Sequence, residues 1–416
     1  MSDSVNPILA ADGTPLKKKL GQALFRSRVQ AFGLVVPLLA FVIVSFIVPI
    51  VVLLWQGIHD SRYAELMPGS TLALSKWDGI TEPTEEMYSA LVADLIEARK
   101  QKTIGKVATR VNRELSGTRS LFTSTARRAA RLAAPYKDAL VEVNVAWGEI
   151  ETWQAMKVAS RVYTPGYLLA ALDFSLSADG TVTRKPENRR IHIKLFLRTL
   201  EISVVVTVAC LFLGYPIAYL LSSLPLRTSN ILLILVLLPF WTSLLVRTTS
   251  WIAMLQAQGV MNDLFVAFGI TGDDDRFSLI YNKTGTLIAM THILLPFMIL
   301  PLYSVMKAIP PSYVRAAKSM GATDWTAFWR VYFPQSVPGI GAGVLLVFIL
   351  AIGYYITPAL VGGQDGQMIS NIIDFHMRKS LNWNLAAAIG LVLLVIILAL
   401  FWIYDRIVGI DNLKLG

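Results

Sequence analysis

The sequence is poor in the residues that most enzymes use for chemistry. Its only cysteine, Cys210, lies inside a long apolar run, so neither a disulfide framework nor a cysteine metal site is available. Its four histidines, His59, His192, His292 and His376, are scattered and none forms a His/Glu metal-ligand pair. No G-x-x-x-x-G-K-[ST] phosphate loop is present: the nearest fragment, Gly105-Lys106-Val107, lacks the upstream glycine and the following hydroxyl. A catalytic reading therefore has no residues to stand on, and no catalytic or metal site is expected. Charge is also scarce, at 16% of residues.

Apolar residues take the place of the missing charge, at 54% of 416 residues with a mean hydropathy of +0.55, which is too apolar for an ordinary soluble chain. Crossing a bilayer core takes about 20 mostly apolar residues. Six runs qualify: Gly33 to Trp55, Leu195 to Leu221, Ile231 to Leu255, Gly285 to Met306, Val337 to Pro358 and Leu385 to Tyr404. The expected fold is an all-α integral membrane protein with six transmembrane helices. The first run follows Lys17, Lys18, Lys19, Arg26 and Arg28 with no small-x-small cleavage site after it, so it reads as a retained signal anchor behind a basic tail over 1–32.

The net charge of +10 fits basic flanks of membrane spans better than nucleic acid. Short-loop Lys and Arg (Arg227, Lys307, Arg315, Lys318, Arg330) alternate with a loop carrying Asp263, Asp273, Asp274 and Asp275. By the positive-inside rule both termini are expected in the cytoplasm. Between the first two spans, 59–194 is too long for a simple connection. Its Ala, Leu, Glu, Lys and Arg with apolar spacings such as Leu91, Leu95 and Ala98 predict a helical insert outside the membrane, either a partner-docking domain or a spacer.

The stretch SYVRAAKSMGATDWTAFWRVYFP, Ser312 to Pro334, predicts a helical hairpin within 307–336. Pro310 and Pro311 end the preceding helix and Ser312 is expected to cap the first arm. Gly321 suits the left-handed position that stops it. Thr323 caps the second arm, with Asp324 against its positive dipole end. Tyr313, Ala316, Ala317 and Met320 form one apolar stripe and Trp325, Phe328, Trp329 and Tyr332 another, with Pro334 and Pro338 expected to close the unit. A DNA-binding helix-turn-helix is disfavoured by the single basic residue of the second arm, Arg330. An interfacial helix pair at the membrane surface is the structural alternative, and a knob fitted to a partner's groove the functional one.

The hairpin, read as AAKSMGATDWTAFWRVYFPQSVPGI, resembles the EAA-x-x-x-G motif of inner-membrane permeases of binding-protein-dependent ABC importers, through Ala316, Ala317, Gly321, Ala322, Phe328, Val331, Pro334 and Pro338. Arg315 stands where that family usually has glutamate. LPFWTSLLVRTTSWIAMLQAQGVMND, ITPALVGGQDGQMISNIIDF and LNWNLAAAI are similar to the spermidine/putrescine group of those permeases. The long insert lies outside the likeness.

The resemblance implies a type I importer permease core over 195–416. Its expected partners are two ATPase subunits, a second and nonidentical permease, a soluble periplasmic substrate-binding protein and the bilayer of a bacterial inner membrane, with no nucleic acid. No cofactor is expected on this chain, ATP and Mg being bound by the partner ATPase. Arg315, Ala316, Ala317, Gly321, Ala322, Asp324 and Phe328 would couple to that ATPase. The implied cargo is a polyamine, with other amines, opines or phosphonates as alternatives; a self-contained secondary transporter would need internal repeats, which are not seen.

Ionisable residues inside spans are costly and mark functional positions. Glu201 and Arg247 fall in the outer half of the membrane and are expected either to pair and fix helix packing or to serve the substrate path or a gate. For a polyamine, Trp241, Trp251, Tyr354, Tyr355 and Asp374 would supply aromatic faces and an acceptor along the path.

Overall fold

The computed structural model describes residues 16–177 and 179–408. The described residues form two compact units, divided between Gln56 and Gly57. In the first, α1 (Leu16–Val42), a π turn (Ile43–Ile47) and α2 (Val48–Trp55) follow one another without interruption, and the apolar stretch Leu24–Trp55 is long enough to span a membrane. The helix thus starts well before the expected Gly33 and takes in part of the basic tail; residues 1–15 of that tail lie outside the described residues.

The second unit begins with the insert, whose helices are α3 (Arg62–Leu66), α4 (Pro68–Lys76), α5 (Glu85–Lys100), α6 (Ile104–Asn112), α7 (Thr118–Arg128), α8 (Tyr136–Val143), α9 (Ile150–Ser160) and α10 (Gly166–Ala171). They close on a core of Tyr63, Tyr88, Leu91, Leu95, Phe122, Trp147 and Trp153. Helical spacing of Leu91, Leu95 and Ala98 puts all three on the buried face of α5, as the sequence pattern predicts. Beyond α10 the chain makes a two-stranded antiparallel hairpin, β1 (Phe174–Leu176) with β2 (Val182–Arg184), which helical periodicity does not anticipate. The insert is not a separate compact unit. Tyr167 and Ala171 of α10 share one cluster with Leu195, Phe196, Ile369, Ala388 and Ile389.

The remaining helices are α11 (His192–Ser223), α12 (Leu226–Leu237), α13 (Leu244–Leu255), α14 (Val260–Ala267), α15 (Lys283–Ala308), α16 (Pro311–Ser319), α17 (Asp324–Ala327), α18 (Phe333–Gly353), α19 (Ile356–Val361), α20 (Ile369–Arg378) and α21 (Trp383–Val408). Among the described residues five helices are long and apolar enough to cross a membrane, and a bent pair makes a sixth. That pair corrects the expected straight span from Ile231 to Leu255. Leu226–Trp241 and Leu244–Ala267 meet at 95°, because Pro239 leaves a gap in the backbone ladder and Ser243 starts a new helix by accepting the N–H of Val246 at 3.1 Å. The expected span ending at Pro358 also stops early, at Gly353, and α19 follows as a separate short helix. Pro296 and Pro301, by contrast, sit inside an unbroken α15.

The core is the triad α11, α15 and α18, packed around Ile202, Val206, Cys210, Met290, Met298 and Val347. Small residues set its spacing. A Cβ at Gly343 would come within 2.7 Å of the Met298 sulfur, so α15 and α18 approach closely only with glycine there. At one end of the triad the Asp173 carboxylate accepts the N–H groups of His192 (3.2 Å) and Ile193 (2.9 Å), satisfying donors that the first turn of α11 leaves free. The insert, Leu381 and Asn384 gather at this end; the connections 224–226 and 309–332 gather at the other.

Candidate functional site

The hairpin end is built by local signals. Proline needs no N–H at the start of a helix, and Pro311 is the first residue of α16 with Pro310 in the cap position. Ser312, expected to cap, sits inside the first turn instead. α16 stops where Gly321 adopts φ +93°. There the N–H groups of Gly321 and Ala322 reach back to the carbonyls of Lys318 (2.9 Å) and Ala317 (3.1 Å), the paired closure that a left-handed residue permits. Thr323 Oγ1 accepts the N–H of Thr326 at 3.2 Å, and Asp324 pairs with Lys318 across the turn.

Pro334 and Pro338 do not close the unit. From Asp324 to Gly353 the helix is continuous. Pro334 has no N–H to offer the preceding turn, and the chain absorbs that loss in a π turn, Phe328–Tyr332, where the Phe333 N–H reaches back to the Phe328 carbonyl. The second arm of the hairpin is therefore the end of a spanning helix.

The two arms meet over Ala317 and Ala327, both buried. Phe328 turns inward, in edge contact with Tyr219 (5.7 Å between centroids) and Tyr215 (6.3 Å) and stacked on Tyr332. Tyr332 in turn shares a 3.1 Å hydrogen bond with Ser222 of α11. Lys307 donates to the carbonyls of Ser222 and Leu224, both at 3.1 Å, completing the C-terminal end of α11. Of the seven expected coupling residues, Arg315, Ala316, Gly321 and Asp324 are exposed and Ala322 is half-buried, whereas Ala317 and Phe328 hold the hairpin together and to α11. Beside them Met320 and Trp325 project, 83% and 72% exposed. A 420 Å³ cleft between the hairpin and α11 is lined by Tyr219, Ser222, Lys307, Pro310, Arg315 and Tyr332. The exposed face is basic.

At the opposite end the expected path residues do not converge on one point. Glu201 pairs with Lys283 at the start of α15, beside Lys194, Arg198 and Asp365 in an open 560 Å³ cavity. It does not meet Arg247. The break between α12 and α13 frees carbonyls near Arg247, and its guanidinium donates to the Pro239 carbonyl, to the Thr242 carbonyl at 3.2 Å and to the Thr242 hydroxyl at 3.5 Å, while lying over Phe240. Arg247 thus braces the bend. Trp251 donates to His292 Nδ1 at 3.1 Å, and Trp241 is 76% exposed.

Tyr355 and Asp374 do come together, through Arg378, which pairs with Asp374 and donates to the Tyr355 hydroxyl at 3.3 Å. The carbonyls of Tyr354 and Tyr355 accept from Ser370 (2.5 Å) and Asn371 (2.7 Å), tying the break after α18 to α20. Sequence reasoning missed Lys283 and Arg378 as partners. It also missed the loop after α19, although its three glycines in five residues (Gly362, Gly363, Gly366) were a visible signal. These glycines let the loop lie against Tyr281 and Thr286, since a Cβ on Gly363 would fall 2.1 Å from the Tyr281 carbonyl oxygen.

Comparison with known proteins places this arrangement. Residues 211–409 match the family model described as binding-protein-dependent transport system inner membrane component. The spermidine/putrescine transport system permease protein PotB of Escherichia coli is 31% identical over 224 residues, covering 54% of this chain and 81% of that protein. Its Haemophilus influenzae counterpart is 33% identical, covering 54% and 78%. The inner membrane ABC transporter permease protein YdcU of Escherichia coli is 31% identical, covering 53% and 73%. The insert lies outside the family match. The chain belongs to the family of binding-protein-dependent transport system inner membrane components, as a multi-pass, all-α permease subunit of an ABC importer and not an enzyme.

Proposed function

We propose that this permease imports a polyamine, moved by a separate ATPase that grips the 307–336 hairpin from the cytoplasm. The observation that carries the coupling role is the unbroken helix from Asp324 to Gly353. A push on the hairpin arm is a push on a spanning helix, and the Phe328–Tyr332–Ser222 contacts pass it to α11. Arg315, Ala316, Gly321, Ala322 and Asp324 form the contact face, with Met320 and Trp325 as apolar anchors. With Arg315, Lys318 and Arg330 exposed, the face calls for an acidic rim on the ATPase cleft. Both termini and the hairpin are then cytoplasmic and the insert extracytoplasmic. A second permease completes the path, a soluble binding protein delivers cargo, and ATP and Mg are held by the ATPase.

The polyamine assignment is supported by the spermidine/putrescine permeases to which the chain is similar; Asp374 and Tyr355, the acid and ring expected on the path, are held by Arg378 in this structure. Coupling is tested at Gly321, whose added Cβ would meet nothing within the chain while its φ is +93°. Asparagine tolerates that conformation better than most residues. Gly321→Asn is expected to fold and insert but to lose co-purification of the ATPase, as is Gly321→Asp. If both variants retain the ATPase and transport normally, the hairpin is not the grip.

A further inference from the structure

Between 98 and 131 the chain carries ten Lys and Arg residues and one acid, Glu114. Glu114 is taken by Arg110 at 2.5 Å. Arg110 and Arg113, at the C-terminal end of α6, are directed toward the spans: Arg110 reaches Asp60 at 3.1 Å and Arg113 donates to the Leu381 carbonyl at 3.0 Å. Lys100, Lys102, Lys106, Arg127, Arg128 and Arg131 are different. All six are exposed, and none has an acidic partner among the described residues.

The fold gathers these six at one place. α6 and α7 pack as a hairpin about Gly117 at φ +96°, which sets Lys106 beside the end of α7 that carries Arg127 and Arg128. Arg99 donates to the Ala126 carbonyl at 3.2 Å, bringing in the end of α5 with Lys100 and Lys102. This basic end lies at the N-terminus of α6, about 13 Å along the helix from Arg113 and its contact at Leu381. Glu97, on the last turn of α5, is the acid closest to Lys100 in sequence; it accepts from Gln101 at 2.7 Å and forms no ion pair with the six among the described residues. Acids concentrate elsewhere on the insert, where Glu82 pairs with Lys137 and Glu85 accepts the N–H of Lys137.

We propose that this basic end of the insert is a docking surface for an acidic face of the soluble, cargo-loaded binding protein, a role that rests on the importer reading above. Uncompensated like charge works against the compact state of the insert by itself and raises the rate of encounter with an opposite charge. Its position at the end away from Leu381 and Asn384 favours a soluble protein over lipid headgroups. The hold on the spans through Asp60, Arg62 and Asn384 makes whatever lands on the insert a load on the start of α21.

The test uses the whole importer, with its ATPase and second permease, in nanodiscs of neutral phosphatidylcholine, reading ATPase rate against the concentration of cargo-loaded binding protein. The triple variant Lys106→Glu, Arg127→Glu, Arg128→Glu is compared with Lys106→Gln, Arg127→Gln, Arg128→Gln to control for folding. Expected for the reversed variant is a rise of about tenfold or more in the half-saturating concentration, with a flatter salt dependence and an unchanged maximal rate; the neutral variant falls between it and the wild type. An unchanged half-saturation overturns the proposal, as does a shift that appears only when anionic phosphatidylglycerol is present, which would assign the patch to lipid. Failure of the wild type to respond to any binding protein sinks the importer reading itself, a separate result.

Discussion

Replacing Asp60 by asparagine removes the buried carboxylate at the centre of the joint between the insert and α21. The Asp60 side chain is 1% exposed. It accepts from Arg62 Nε at 2.7 Å, Arg62 Nη2 at 2.6 Å and the Tyr167 hydroxyl at 2.5 Å, with Arg110 Nε at 3.1 Å. Arg62 also donates to Asn384, which donates to the His59 carbonyl at 3.0 Å. Burial alone would raise the carboxyl pKa, but the Arg62 hydrogen bond and the Arg110 charge outweigh it and hold the group at about 2, below the ordinary 3.8. That depression is worth about 2 kcal/mol. Its sign is that of a carboxylate stabilised in the folded state: the contribution is complete above pH 3.8 and is lost as pH falls toward 2. Removing the charge outright leaves buried Arg110 with Glu114 as its partner and Arg62, 37% exposed, with Asn384 and water, so Asp60→Asn should cost about 2–3 kcal/mol. The assay is thermal unfolding of the detergent-solubilised protein followed by the fluorescence of Trp147 and Trp153 in the insert core, with limited proteolysis in parallel. If Asp60→Asn melts like the wild type, or no worse than Glu82→Gln at the exposed Lys137 pair, the joint does not hold the insert.

Other positions give separate tests. Burial, reinforced by His192, Arg113 and Lys185, holds His376 at about 4; the unfolded chain takes up its proton first, so stability should fall between pH 6.5 and 4, by about 2 kcal/mol after allowance for partial exposure. His376→Gln should flatten that slope in melts at pH 7.5, 6 and 5. Gly363→Ala places a Cβ 2.1 Å from a carbonyl oxygen at φ +52°, and should cost more than about 2 kcal/mol and open the loop to protease. At Gly321, where the same change meets nothing, the cost should stay within about 1–2 kcal/mol. Arg247→Met unpairs acceptors at the bend and should destabilise by about 1–3 kcal/mol, with the KM for transport unchanged; a raised KM at normal stability would return Arg247 to the cargo path.

Local rules made the hairpin legible. Gly321 and Thr323 stop and start helices by backbone geometry and one hydrogen bond each, and both stand where their residue types demand. Pro334 misled because its effect depends on whether the neighbouring turn can widen, and a π turn absorbs it. Apolar length marked the spans but not their breaks: the 95° bend depends on how Pro239, Ser243 and Arg247 share carbonyls, and Tyr354 and Tyr355 end α18 within an uninterrupted apolar run. Partners were least legible. Glu201 with Lys283, and Asp60 with Arg110, are brought together across 82 and 50 positions by packing alone, and spacing carries no trace of such pairs.

The two ends of this permease are built differently from what lies between them. At the hairpin end, the Asp324–Gly353 helix, Tyr332, Ser222 and Lys307 bind α18, α15 and α11 into one handle. At the insert end, Asp60, Arg62, Arg113 and Asn384 bind the insert to the start of α21, while Asp173 binds it to the start of α11. A displacement at the handle cannot be absorbed in either block without breaking buried ion pairs or a packed aromatic cluster. It must be absorbed where backbone pairing is already interrupted. Two such places are Thr242–Ser243 and Tyr354–Tyr355, and the helices that follow them, α13 and α19, meet through Thr248 and Thr357, whose hydroxyls lie 3.4 Å apart. Thr357→Val keeps the shape of that contact and removes its hydrogen bond. It should therefore leave ATPase association intact while changing the transport rate, and an unchanged rate would place the moving joint elsewhere.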